Sequence, residues 1–165
     1  MTRAVIDACV LYPDVPRALV LAAARAGHLT PLWSARILEE WRRAVLAKRA
    51  EAGGTVAAEI ARIEADFPAA RVTPPPDAEA LLSLPDANDR HVLATAIAGE
   101  ADEIVTFNIR DFPGRTLARD GIIPRHPDGF LTEIALADPD YADAVAAHCA
   151  ALSDAAPRAL LKRLA

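Results

Sequence analysis

Four acidic residues from distant stretches of the chain, Asp7, Glu40, Asp89 and Asp111, are the side chains best suited to do chemistry. Asp7 closes the short apolar run Arg3-Ala4-Val5-Ile6, and Asn108 and Asp111 follow a second run, Glu103 to Phe107. In open parallel sheets ligands bind beyond the carboxyl ends of the strands, so polar residues at those points carry extra weight. Taken singly, Asp7 reads as a turn residue and Asn108 as a cap. The other two acids belong to helices. At about 100° per residue, Ile37, Leu38, Trp41, Ala44 and Val45 form one apolar arc. Glu39 lies nearly opposite that arc, as a solvated partner of Arg43 at i,i+4, whereas Glu40 lies at its edge, where a carboxylate can reach a cleft. On the later helix Val92, Leu93, Ala96 and Ile97 share a face, and Asp89 falls near its middle in the first turn. The positive end of the helix offsets only part of the cost of turning that carboxylate inward. Asp86 reads as the N-cap, accepting the backbone N–H of Asp89, and His91 as a surface residue.

Gathered at one place, four carboxylates repel one another, and hard divalent cations supply the compensation. Oxygen-only ligation suits magnesium or manganese, while His28, His91, His126 and His148 and the two cysteines have no zinc spacing. Such a site orients a phosphodiester and activates water against it. The net charge of −5 argues against a nucleic-acid partner, since phosphate binding draws on Lys and Arg, but bound divalent ions would offset most of it. The basic residues fall in two stretches, Arg36, Arg42, Arg43, Lys48 and Arg49, and Arg110, Arg115, Arg119 and Arg125. A phosphate-facing surface and a solvated helix face explain the first stretch equally well.

The elements that must position these residues alternate. Arg3–Ile6 suits a strand buried on both faces. A helix follows, capped by Asp14 with Pro16 in its first turn and ended by a left-handed Gly27. Leu29 to Trp33 reads as a strand, Ala35 to about Ala50 as a helix stopped by Gly53-Gly54, and Thr55 to Phe67 as another. Pro74-Pro75-Pro76 is a loop before a short helical piece, Asp77 to Leu82. A helix from about Ala87 to Ala98 ends at Gly99; Glu103–Phe107 and Gly121-Ile122-Ile123 read as strands. Beyond Pro127 the chain reads as helical, punctuated by Pro139 and Pro157. This order argues for a parallel sheet covered on both faces. At 165 residues with a hydrophobic fraction of 53%, one globular unit is expected. Two cysteines make no disulfide framework, and no export segment or run long enough to cross a membrane is read, so a cytoplasmic protein is expected.

Four stretches together resemble PIN-domain nucleases. Val5-Ile6-Asp7-Ala8-Cys9-Val10-Leu11 is similar to the family's opening strand, and Ser34-Ala35-Arg36-Ile37-Leu38-Glu39-Glu40 to the helix bearing the second acid. Asp86-Ala87-Asn88-Asp89-Arg90-His91-Val92-Leu93-Ala94-Thr95-Ala96 resembles the segment carrying the third acid, Val105-Thr106-Phe107-Asn108-Ile109-Arg110-Asp111-Phe112 the fourth. Arg125-His126-Pro127-Asp128-Gly129-Phe130-Leu131 is similar to the family's tail. The resemblance implies a three-layer α/β/α sandwich around a central parallel sheet, a nuclease domain over 1–125 and a helical C-terminal extension over 126–165 packed on it. It implies a magnesium- or manganese-dependent endoribonuclease with Asp7, Glu40, Asp89 and Asp111 as catalytic metal ligands and Thr106 and Asn108 in support. RNA as substrate, a homodimer and, for VapC-type toxins, a cognate antitoxin that blocks the site are further implications. Cys9 departs from the pattern, standing where many members carry Asn or Ser.

Two other classes compete. A haloacid-dehalogenase-type phosphohydrolase also begins with a strand ending in a catalytic Asp, but its acid/base would be a second Asp where Cys9 stands. An RNA-processing nuclease without a toxin role, or a non-catalytic member that binds RNA or a protein, would keep the fold without the toxin chemistry.

Overall fold

Residues 1–153 are described by the computed structural model. Strand β1 (Thr2–Ile6) is short and apolar, and Ala4, Val5 and Ile6 are fully buried. Burial on consecutive residues leaves neither face to water, which is the pattern of a central strand in a parallel sheet. It is flanked by β2 (Leu29–Leu32) and β3 (Glu103–Val105), and β4 (Ile123–Arg125) adds beyond β3. The order is β2-β1-β3-β4 with every pairing parallel. Val5 pairs with Leu32 on one side and Ile104 on the other.

The chain steps from β1 to one side and later returns to the other, so the strand order reverses at β1. Parallel crossovers are right-handed, and the reversal therefore puts helices on opposite faces. Helix α1 (Ala8–Leu11) and α2 (Asp14–Arg25) follow β1; α2 packs on β2, while α5 (Arg90–Ala98) packs on β1 and β3 and α6 (Gly114–Leu117) on β4. The hairpin of α3 (Ala35–Lys48) and α4 (Gly53–Asp66) lies between β2 and α5 in the chain. Helices α7 (Pro127–Ala137) and α8 (Pro139–Ser153) pack against α2. This is the expected α/β/α sandwich with a helical C-terminal region. Buried Tyr141 donates to Leu19 O at 3.1 Å, and His28 Nε2 lies 2.7 Å from Asp138 Oδ2.

Several boundaries differ from the sequence reading. Asp14 does not cap α2; it is the first helical residue and pairs with Arg17 at 2.8 Å, while Pro13 holds the cap position. Gly53 and Gly54 open α4 instead of separating two helices, where backbone N–H groups lack helical partners in any case. Asp86 does begin the next helical segment, but its side chain accepts from Asn88 N at 2.8 Å, not from Asp89, because the first turn, 87–89, is a tighter 3-10 turn. The last sheet strand starts at Ile123; Gly121, with φ 72°, is the left-handed turn before it. Pro157 lies outside the described residues.

Candidate active site

Extending the β1–β3 and β3–β4 registers by one residue, and the β1–β2 register by two, sets Ser34, Asp7 and Thr106 side by side at the carboxyl edge of the sheet, with His126 beyond. This is the edge where the strand order reverses, and ligands of open parallel sheets lie there. Ser34 caps α3, accepting Ile37 N at 3.3 Å, and His126 caps α7. Asp7 starts α1 with its carbonyl, which accepts Val10 N and Leu11 N at 3.0 and 3.2 Å. Its side chain makes no cap bond and is left for other contacts, although only 5% of the residue is exposed.

Two donors converge on Asp7 Oδ2. Thr106 Oγ1 donates at 2.7 Å and Cys9 Sγ at 3.1 Å, and Asn108 N in turn donates to Thr106 Oγ1 at 3.0 Å. That last bond turns the chain out of the sheet, which is why β3 ends at Val105 and not at Phe107. Burial, and next the Asp7 charge, push the Cys9 thiol up to about 12, so it stays protonated and serves as a donor. A thiol so held cannot replace the acid/base that the phosphohydrolase reading needs.

Asp89, half-buried at the start of α5, is the electrostatic centre of the site. Burial raises its carboxyl to about 6, and the charges of Asp7, Asp86 and Asp111 add to the rise. The fold thus brings Asp7, Asp89 and Asp111 into one neighbourhood, with Asp86 as a fourth charge that sequence reasoning assigned only to capping. Asp111 is half-buried in the 3-10 turn 109–111, and Asn108 is exposed with no side-chain cap bond. All-oxygen donors crowded until they oppose their own ionisation have the chemistry of a hard divalent-cation site. Among the described residues, however, no three Asp, Glu, His or Cys side chains close around one point. The donors fit such an ion in kind.

Glu40 does not join this group by direct repulsion of Asp89. It sits on α3, half-buried, with His91 Nε2 2.8 Å and Arg36 Nε 3.5 Å from the same oxygen, Oε1. Glu39 is turned away and bound by Arg42 and Arg43, both at closest distances under 3 Å (2.7 and 2.9 Å), which hold its carboxyl down to about 2. His91 corrects the sequence reading: it is buried, at 3% exposure, not on the surface. The helical phase assumed a helix with one wet face, but α5 is buried from His91 through Ala96. The uncharged run from Val92 to Ala98 was the available signal, since a helix apolar all round is covered all round.

The basic stretches separate in the same way. Arg36 pairs with Glu79 and Glu40, Arg42 and Arg43 pair with Glu39, and Lys48 lies over the Tyr12 ring. These are satisfied side chains of a helix face. In the second stretch Arg125 is bound by Glu103 and Glu133. Among the described residues Arg110 and Arg115, flanking Asp111, and Arg90, beside Asp89, have no carboxylate partner, and Arg90 Nε is buried without any.

A fold that reverses its strand order at an acid-bearing edge is matched by the family comparison: the model described as PIN domain covers residues 2–110. The chain belongs to the PIN-domain family. The matched span contains Asp7, Glu40 and Asp89 and stops one residue short of Asp111. Over 45 residues the chain is 47% identical to a protein of Mycobacterium tuberculosis (strain ATCC 25618 / H37Rv) described as "Putative ribonuclease VapC50", a stretch that spans 27% of this chain and 27% of that protein. No solved structure matches. Among the described residues no helix is long and apolar enough to cross a membrane.

Proposed function

We propose that the protein is a magnesium- or manganese-dependent endoribonuclease and the toxin of a toxin–antitoxin pair. The observation that carries the reading is the raised Asp89 carboxyl, surrounded by Asp7, Asp86 and Asp111 at the carboxyl edge of the sheet. In this reading Asp7, Glu40, Asp89 and Asp111 would hold divalent metal, which when bound would polarise the phosphodiester and lower the pKa of attacking water. Thr106 and Cys9 fix Asp7 by donating to Oδ2, leaving Oδ1 for ligation. Asn108, exposed and donating its backbone N–H to Thr106 Oγ1, is assigned a supporting role. Arg90, Arg110 and Arg115, unclaimed by carboxylates, supply the cations that an acidic protein needs to hold an RNA backbone. The similarity to a protein described as a ribonuclease of the VapC series supports RNA as substrate and a cognate antitoxin as partner. A homodimer and a cytoplasmic location accompany that reading, with residues 1–125 as the nuclease domain and 126–165 as its extension.

The test is cleavage of total cellular RNA with manganese, with magnesium and with chelator. Cleavage is expected only with metal, and Asp7→Asn and Glu40→Gln are expected to lose it by about 100-fold or more, the scale on which proton transfer and charge stabilisation contribute. Glu39→Gln, already occupied by two arginines, is expected to cut like wild type. Equal loss in Glu39→Gln and Glu40→Gln removes the site assignment, and growth unaffected by the active protein removes the toxin role.

A further inference from the structure

His91 is a buried histidine with one nitrogen in use. Nε2 lies 2.8 Å from Glu40 Oε1, whereas Nδ1 is buried without a partner. Leaving a buried polar atom unpaired costs stability. An unsatisfied group of this kind calls for a reason, and the one nitrogen in use supplies it. Two lone pairs 2.8 Å apart would repel, so Nε2 is the nitrogen that carries the proton and its contact with Glu40 is electrostatic.

His91 and Arg36 both make their closest approach to Glu40 at Oε1, at 2.8 and 3.5 Å. Of the two, Arg36 is 47% exposed and also engaged by Glu79 at 2.9 Å, whereas the His91 side chain is 4% exposed and lies two residues after Asp89 in the chain. The rigid contact is therefore the histidine, and it ties the acid of α3 to the element that carries the acid of α5.

We propose that His91 is a positioning residue: it holds the Glu40 carboxylate at Oε1 and so fixes Glu40 relative to Asp89 for binding the divalent ion. The inference rests on the reading of Glu40 as a metal ligand. Residues that orient ligating carboxylates this way change metal affinity by about 10–100-fold when removed.

Manganese binding to the full chain, measured by calorimetry without RNA, separates the possibilities. His91→Leu is expected to bind manganese about 10–100-fold more weakly, and His91→Gln, whose amide donates at similar reach, to recover most of that loss. The double variant His91→Leu/Glu40→Gln is expected to bind no more weakly than Glu40→Gln alone, because both changes remove one unit. A histidine that only fills space would lower the melting temperature of His91→Leu and leave its manganese affinity unchanged. That result, with Glu40→Gln weakened, overturns the proposal and keeps Glu40 as a ligand; wild-type affinity in Glu40→Gln overturns both. Additive losses in the double variant also overturn it. If His91→Leu does not fold, His91→Gln against the shorter His91→Asn decides by the same measurement, equal affinities going against the proposal.

Discussion

The side chains around Asp7 show how a departure from a family's pattern can keep its physics. Where an Asn or Ser would donate to the first acid, Cys9 donates through sulfur, at 3.1 Å to Oδ2, beside the stronger donor Thr106 at 2.7 Å. Its thiol, pushed up to about 12 against an ordinary 9.0, carries on the order of a thousandfold less thiolate at neutral pH than a free one, and thiolate sets the rate of alkylation. In a Cys149→Ser background, with chelator present, Cys9 is expected to react with iodoacetamide only at the rate of unfolding and to become fast in denaturant. Rapid native labelling would show that the thiol is ionised and is not a donor to Asp7. Asp7, Glu40 and Asp89 were legible as candidates because strand ends and helical phase are written in the residue order. His91 was not legible, because the angle of a residue on a helix says which face it occupies and not whether that face meets water.

At the scale of elements, two helices end in the same way with different residues. After α2, His28 N donates to Ala23 O at 3.0 Å and Gly27 N to Ala24 O at 3.1 Å, and Gly27 has φ 84°. After α5, Ala101 N donates to Ala96 O at 2.9 Å and Glu100 N to Ile97 O at 3.1 Å, and the left-handed residue is Glu100, with φ 49°. Both are Schellman endings. The sequence points correctly to Gly27, but at the second end it points to Gly99, which has φ −88° and is required for another reason: a Cβ there would stand 3.0 Å from Leu32 Cδ1, Thr95 O and Val72 Cγ2. A glycine can mark a turn or a close approach, and spacing alone does not tell which. An L-residue in the left-handed region is disfavoured by about 1 kcal/mol or more. Gly27→Ala is therefore expected to lower, and Glu100→Gly to raise, the melting temperature by about 2–4 °C each. Calorimetric scans check both, and a fall in Glu100→Gly would mean that its side chain contributes more than its backbone strain costs.

For the whole molecule the question is how an acidic chain, at −5, tolerates gathering its carboxylates at one sheet edge. Layer order, parallel pairing and the acid-bearing edge follow from the alternation of short apolar runs with helices. The closeness of Asp7, Asp86, Asp89 and Asp111 does not, since it depends on 3-10 turns at 87–89 and 109–111 whose tight geometry the residue pattern leaves open. The cost of the gathering is readable in Asp89, whose carboxyl ordinarily titrates near 3.8 and is raised to about 6 in the fold. The sign follows by linkage. The unfolded chain releases this proton first, so the folded state loses stability as pH rises from about 4 through 6, and the penalty is full above that. Asp89→Asn cannot ionise, so with chelator at pH 7.5 it is expected to melt at or above wild type, and the difference should shrink as the pH is lowered to about 4. Manganese should reverse the ranking. An ion that binds only the folded protein stabilises it by about 2.7 kcal/mol at a hundredfold excess over Kd, several degrees for a domain of this size, and a variant lacking one ligand should gain much less. Thermal scans of both proteins at the two pH values, with chelator and with manganese, give four comparisons. An equal manganese shift in the two proteins would remove Asp89 from the ligand set, and a variant less stable than wild type in chelator at pH 7.5 would mean that the Asp89 carboxylate makes stabilising contacts in the fold that outweigh its repulsion from Asp7, Asp86 and Asp111.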